Sequence, residues 1–290
     1  MIKKQIRLKM NKQFNDTLVT AIGSKEFMVA ETIQNLWSGY GEINRVNVTN
    51  GICKSVVLKH VRLPQRKVHP RGWDTDISHN RKIKSYEVES EFYKNYADKL
   101  TAAKIPNCLA IDFFEDEVLL VLEDLDAAGY TERLTSVNWE QILMCIDWLA
   151  NFHATFLGES PIGLWETGTY WHLETRPDEL EVLTDLSLKD AAAKIDDRLK
   201  NAKYQTYVHG DAKLANFCFS ENGAKVAGLD FQYVGGGCGM KDLAYFVGSC
   251  LYEEDCEQLE TKILEAYFSS MERALKILNK QVDFQELESE

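Results

Sequence analysis

Val208-His209-Gly210-Asp211-Ala212-Lys213-Leu214-Ala215-Asn216-Phe217, followed by Gly228-Leu229-Asp230-Phe231-Gln232, is the most informative segment of the chain. It carries a carboxylate at Asp211, a lysine two residues on and an amide five residues on. Two apolar runs then flank Asn222-Gly223, a strong hairpin signal between Phe217–Phe219 and Val226–Leu229. With those two residues as the turn, paired positions sum to 445, so Asn216 lies opposite Leu229 and one step from Asp230. An amide oxygen and a carboxylate held that close are hard-oxygen ligands suited to Mg²⁺, which keeps several waters and takes its other ligands from phosphate. Asp211, just upstream, faces whatever sits beyond the metal.

Taken singly, His-Gly-Asp is a common tripeptide and Asp-Phe-Gln a plain strand end; the joint spacing is what carries weight. It resembles the catalytic loop and metal-binding segment of the protein-kinase-like fold, in which an Asp accepts the acceptor hydroxyl's proton and an Asn and a second Asp hold Mg²⁺. His-Gly-Asp in place of His-Arg-Asp is similar to the small-molecule branch: aminoglycoside phosphotransferases, choline kinases and ecdysteroid-kinase-like proteins. The resemblance implies Asp211 as base, Asn216 and Asp230 as metal ligands, and Lys213 as a contact to the transferred phosphate. Lys213 departs from many aminoglycoside kinases and is similar to protein kinases. The implied fold is α+β and two-lobed: a small antiparallel β-sheet lobe with one long helix, then a larger, mainly helical lobe with a catalytic β-hairpin. Residues 1–30 are expected as an arm, 31–123 as the nucleotide-binding lobe and 124–290 as the catalytic and acceptor-binding lobe.

Composition fits that size of molecule. At 290 residues and 45% hydrophobic, the chain can bury a large core. No segment approaches the ~20 apolar residues of a membrane span, and the opening MIKKQIRLKMNKQFND lacks the apolar run of a signal peptide, so a cytoplasmic protein without membrane contact is expected. Seven cysteines without CxxC pairs fit reduced, mostly buried thiols. A net charge of −12 argues against nucleic acid as a partner. Residues 54–84 nevertheless hold nine Lys/Arg against two Asp, leaving the remainder near −19. Within that basic insertion, Arg66, Lys67 or Arg71 could contact an anionic group, or the whole could be a solvated loop.

The N-terminal part reads as a meander: strands over Ile33–Trp37, Glu42–Val48 and Ile52–Val61, joined by turns at Ser38-Gly39-Tyr40-Gly41 and Asn50-Gly51. Gly39 and Gly41 could let backbone N–H groups approach a phosphate chain, although a plain tight hairpin is the commoner explanation of two such glycines. With Asn50-Gly51 as the second turn, pairs sum to 101 and Lys59 lies opposite Glu42. Lys59 alternates in phase with Val57 and Val61, so its ammonium projects among apolar neighbours and needs a partner. One is offered by a helix over roughly 81–100, whose apolar stripe Tyr86, Phe92, Tyr93, Tyr96, Leu100 contains the acid Glu89. By resemblance, Lys59 contacts the nucleotide phosphates and Glu89 holds it. Strands over 111–114 and 117–122 then lead to Glu123-Asp124-Leu125, a lobe connector whose Glu123 C=O and Leu125 N–H would bond adenine.

The second lobe opens with a helix over about 139–157, capped by Asn138 and Gln141. His153 lies on its apolar face and reads as a core histidine. The aromatic, polar stretch 163–177 could line an acceptor pocket through Trp165, Glu166, Tyr170 and Trp171, or be packed scaffold. Val234–Ala244 reads as a flexible glycine turn into a helix, with Asp242 resembling the acid that braces the catalytic loop in this fold. Function is therefore expected to be transfer of the ATP γ-phosphoryl, with Mg²⁺, to a hydroxyl of a small molecule. A catalytically silent nucleotide-binding protein and a protein kinase are the alternatives, the latter weakened by the lack of an activation-segment pattern after Asp230.

Overall fold

The computed structural model describes residues 10–36, 39–63, 76–169 and 172–290. The chain divides into two compact units, one formed by residues up to Ala97 with Pro106–Thr131, the other by Asp98–Ile105 with Glu132–Glu290.

In the first unit, α1 (Lys12–Ile22) precedes β1 (Glu26–Asn35), β2 (Gly41–Thr49), β3 (Ser55–Arg62), α2 (Asp76–Asn95), β4 (Cys108–Phe114) and β5 (Glu117–Glu123). The strands form one antiparallel sheet in the order β1-β2-β3-β5-β4. Asn11 caps α1 by accepting the Phe14 N–H, and Gly23 closes it with φ 66°. Phe14, Leu18 and Ile22, at i, i+4 and i+8, pack on Val29, Val46, Val56, Leu58, Leu119 and Val121. The opposite face of the sheet buries Leu36, Tyr40 and Val61 with Tyr86 of α2. Strand β3 is covered on both faces, which is why Val56 through Val61 is an almost unbroken apolar run interrupted only by Lys59 and His60.

Four sequence expectations change here. Residues 10–30 are not a separate arm, because α1 and the start of β1 belong to the first unit's core; the largely exposed β1 gave no alternating signal before Ile33. Helix α2 begins and ends five residues earlier than read, and a short 3₁₀ turn at Ala97–Lys99 follows. The β2–β3 register sums to 102, so Lys59 pairs with Ile43 and Glu42 pairs with His60. The loop after β2 is not a two-residue turn: Val48 N–H reaches Lys54 C=O, and Ile52 N–H bonds Ile22 C=O at the end of α1. Docking that loop onto the helix shifts the pairing by one residue while leaving Lys59 in phase with Val61. The basic residues Arg66, Lys67 and Arg71 lie outside the described residues.

The second unit is built on α3 (Trp139–Phe156) against α7 (Glu253–Ile277), with α4 (Pro177–Glu181), α5 (Leu186–Lys200), α6 (Met240–Cys250) and α8 (Phe284–Ser289). The expected capping pair of α3 is present: Asn138 accepts from Gln141 N–H and Gln141 accepts from Asn138 N–H, each at 2.9 Å. Two small antiparallel pairs complete it, β6 (Thr206–Val208) with β9 (Gly235–Gly237), and β7 (Phe217–Phe219) with β8 (Val226–Gly228). Val234–Gly237 is thus not a flexible turn. Glycines are needed there because the chain at 165–168 passes against β9, and a Cβ at Gly235 would stand 2.1 Å from the Trp165 carbonyl oxygen. Beside these strands Trp148 stacks on Phe152 and Phe156 on Tyr207, Phe152 meets Phe156 edge-on, and Phe231 stacks on Phe152.

Candidate active site

The β7–β8 register is the one read from sequence, summing to 445 at all three pairs, and the Leu229 N–H bonds the Asn216 C=O at 3.0 Å. The turn itself is longer than two residues, closing from Ser220 to Lys225 with Gly223 at φ 65°, but it remains symmetric about Asn222-Gly223. That hairpin places Asp230 directly after the residue opposite Asn216, with Asp230 in the left-handed region at φ 70°.

Between β6 and β7 the loop folds tightly. Gly210 has φ 80°, and a Cβ there would meet the Tyr233 carbonyl oxygen at 2.2 Å, so glycine is required. His209 spans the loop: Nε2 donates to the Leu229 C=O at 3.0 Å, and Nδ1 accepts the Asp211 N–H at 3.3 Å. Those two bonds define a neutral ring with its proton on Nε2. Asp211 is only 8% exposed. Its Oδ2 accepts from Lys213 Nζ and from Asn216 Nδ2, both at 2.9 Å, whereas among the described residues no donor reaches Oδ1. Burial works to lower the Lys213 pKa, but the hydrogen bond and charge of Asp211, with Asp230 nearby, carry it above the ordinary lysine value. The lysine therefore stays charged beside the carboxylate.

The same contacts test a metal. Asn216 Nδ2 donates to both the carbonyl and the carboxylate of Asp211, two acceptors, which fixes the amide with Oδ1 turned away from them. An amide oxygen fixed in that way, one step across the hairpin from the Asp230 carboxylate, is a donor set that fits Mg²⁺ with water and phosphate as further ligands. No cluster of three or more His, Cys, Asp or Glu that could enclose a metal occurs among the described residues.

Asp242, expected as the brace of this loop, accepts from the His209 N–H at 2.5 Å and the Gly210 N–H at 2.9 Å. Its carboxylate is buried, which alone would raise its pKa, but the hydrogen bonds donated by His153 and by the Gly210 N–H outweigh burial and hold it below the usual value. His153, set aside as a core histidine, is in fact one of those donors, at 3.0 Å, with Tyr267 on its other nitrogen. Sequence could place His153 on an apolar face but not opposite a residue 89 positions away.

The stretch 163–177 divides. Trp165 is scaffold: its Nε1 bonds the Gln232 C=O at 2.8 Å and its backbone pairs with β9. Glu166 is exposed beside it. Further along, the Thr169 nitrogen would lie 2.9 Å from a Cβ on Gly210, so this stretch borders the His209–Asp211 loop. Tyr170 and Trp171 fall outside the described residues.

In the first unit, Lys59 Nζ lies 2.6 Å from Glu89 Oε2, with side chains 5% and 2% exposed, and 5.9 Å from the Tyr86 ring. The glycine turn differs at its two ends. A Cβ at Gly41, φ 130°, would stand 2.0 Å from the His60 carbonyl oxygen, so close strand passage explains that glycine. Gly39, φ 77°, has nothing within 4 Å of its Cβ position. At the connector, Glu123 is held to Asn107 through its N–H and its carboxylate, while none of the described hydrogen bonds uses the Leu125 N–H. The sequence reading missed what fixes this segment. Asp124, 3% exposed, accepts from Ser55 Oγ at 2.6 Å and pairs with Arg45 Nε at 3.0 Å, and Arg45 also binds Asp126 and Glu31. Arg45 sits on β2 far from the connector in sequence, so no spacing pointed to it.

No helix among the described residues is long and apolar enough to cross a membrane. No curated protein matches the chain. Among solved structures it is similar to the crystal structure of an aminoglycoside-3'-phosphotransferase of type VIII, at 18% identity and a TM-score of 0.46, covering 96% of this chain and 99% of that one. The sequence model of the ecdysteroid kinase-like family matches residues 54–157 and 170–280, a span that takes in Lys59, Glu89, the connector, the Asp211 loop and the Asn216–Asp230 hairpin. The chain belongs to the ecdysteroid kinase-like family.

Proposed function

We propose that this protein transfers the γ-phosphoryl group of ATP to a hydroxyl of a small molecule. The observation that carries the reading is Asp211: a buried carboxylate anchored through Oδ2 by Lys213 and Asn216, with Oδ1 free of donors among the described residues. An acceptor hydroxyl hydrogen-bonded to Oδ1 would be oriented, and its proton would pass to Asp211 as the oxygen attacks phosphorus. Lys213, charged at neutral pH, balances the carboxylate and contributes positive charge toward the transferring oxygens. Asn216 Oδ1 and Asp230 would hold Mg²⁺, which when bound supplies neutralisation of the phosphate charge. In the first unit Lys59, steadied by Glu89, would contact the nucleotide phosphates, Gly39 would admit them to the backbone, and Glu123 C=O with the Leu125 N–H would take the base. Glu166, Tyr170 and Trp171 are assigned to the acceptor. Membership of a kinase-like family supports a phosphotransferase of this class.

The test is phosphate incorporation from labelled ATP across a panel of hydroxylated metabolites, with an Asp211→Asn control. Transfer by the wild type that the control lacks supports the assignment. Tight Mg²⁺-dependent ATP binding with no transfer to any acceptor would instead make the protein a silent nucleotide binder.

A further inference from the structure

Behind the His209–Asp211 loop runs a chain of buried hydrogen bonds that touches neither nucleotide nor acceptor in the scheme above. The Tyr267 hydroxyl of α7 lies 2.8 Å from Nδ1 of His153 in α3, and His153 Nε2 lies 3.0 Å from Asp242 Oδ2. Asp242 holds the His209 and Gly210 amides. Tyr267, His153 and Asp242 are 1%, 0% and 2% exposed.

The polarity of this chain is fixed by chemistry. A carboxylate only accepts, so Nε2 carries a His153 proton and donates to Asp242; in the neutral ring Nδ1 accepts, and the Tyr267 hydroxyl donates to it. Burial pushes the Tyr267 pKa well up, which keeps that hydroxyl protonated. Space is reserved for the arrangement: a Cβ at Gly239 would stand 2.5 Å from the Tyr267 oxygen and 2.8 Å from His153 Nδ1. The His153 backbone is tied as well, its C=O accepting from Thr206 Oγ1 at 2.7 Å, two residues before Val208. The two loop amides and the imidazole are three donors on one carboxylate, and the imidazole helps set its orientation. Because Asp242 holds the peptide groups immediately before Asp211, that orientation carries into the direction of the Asp211 side chain.

We propose that His153 and Tyr267 are positioning residues for Asp211, acting through the Asp242 carboxylate and the amides it holds. The proposal rests on the reading of Asp211 as the base, and its test separates the two. Tyr267→Phe keeps the ring and deletes one donor. On the full chain, amide hydrogen exchange at His209 and Gly210 is measured by NMR, with the Phe152 and Ala274 amides reporting global opening, alongside the rate of Mg·ATP hydrolysis. Expected is exchange about tenfold faster at the two loop amides, the size that loss of one buried hydrogen bond implies, with the reference amides unchanged. Hydrolysis turnover should fall by a similar factor with the KM for Mg·ATP unaltered, and Tyr267→Phe should add nothing in an Asp211→Asn chain. His153→Gln, which keeps a side-chain N–H, should be milder than His153→Ala in both readouts. Unchanged loop amides, or loop and reference amides accelerating together, would overturn the proposal and leave the pair as ordinary core. A wild type without any hydrolysis would count against the phosphotransferase reading, while the exchange measurement still decides whether the chain of hydrogen bonds holds the loop.

Discussion

Removing one member of the Lys59–Glu89 pair and then both should separate what the pair does for stability from the role proposed for Lys59 in nucleotide binding. The charges are 2.6 Å apart with side chains 5% and 2% exposed, so neither can reach water if its partner is lost. Breaking a buried pair leaves an uncompensated charge and costs about 3–5 kcal/mol, whereas replacing both members by apolar residues of similar volume is often neutral or stabilising. Glu89→Leu should therefore destabilise by about that range, Lys59→Met by a comparable amount, and the double variant by little, a coupling of about 3 kcal/mol or more. The surroundings favour that compensation, since Leu36, Tyr40, Val61 and Tyr86 already line this face of the sheet. Urea unfolding is the assay, with amide exchange along β3 confirming that the first unit carries the change. Nucleotide affinity should behave otherwise: if Lys59 contacts phosphate, the double variant regains stability and still fails to bind ATP. Strict additivity of the two stability losses would refute the argument that the charges depend on each other. A stable double variant with wild-type ATP affinity would remove Lys59 from the nucleotide site.

Asp211→Asn should lower turnover by about 10²–10⁴-fold while Mg·ATP affinity stays near wild type, measured by phosphate transfer and calorimetry. ATP should raise the melting temperature more with Mg²⁺ than with EDTA, and Asn216→Ala or Asp230→Asn should abolish the difference; an equal shift in both buffers would sink the metal assignment. Gly41→Ala forces a side chain into φ 130° and onto the His60 carbonyl, so urea unfolding should show a loss of at least ~1–3 kcal/mol. Gly39→Ala meets nothing within 4 Å, so its stability cost should be only the ~1–2 kcal/mol of a side chain at φ 77°, and beyond that it should register as weaker ATP binding. The folded pKa of Asp242 lies below its ordinary 3.8, so its contribution is complete above that value and is lost as pH falls through the lower folded one. In a urea-midpoint series from about pH 5 to about pH 2.5, Asp242→Asn should be less stable at the upper end and show a shallower acid slope.

The hairpin carrying Asn216 and Asp230 was legible in the sequence because its register depends on local chemistry: the turn lengthened, but symmetrically, and the pairing stayed at 445. The Lys59–Glu89 meeting was legible for a related reason, since a strand alternating by two and a helix stripe repeating near 3.6 each exposed one charge among apolar neighbours, and burial left each needing the other. The β2–β3 register was not, because a backbone bond from Ile52 to the end of α1 sets that loop, and α1 itself gave only a weak pattern in isolation. The same limit applies to Arg45 beside Asp124 and to the Tyr267–His153–Asp242 chain behind the His209–Asp211 loop. Each is a polar contact between residues distant in sequence, and nothing in their own neighbourhoods marks them, because periodicity and turn chemistry act over a few residues. Which buried donor meets which buried acceptor was decided only when packing brought separate elements to one place.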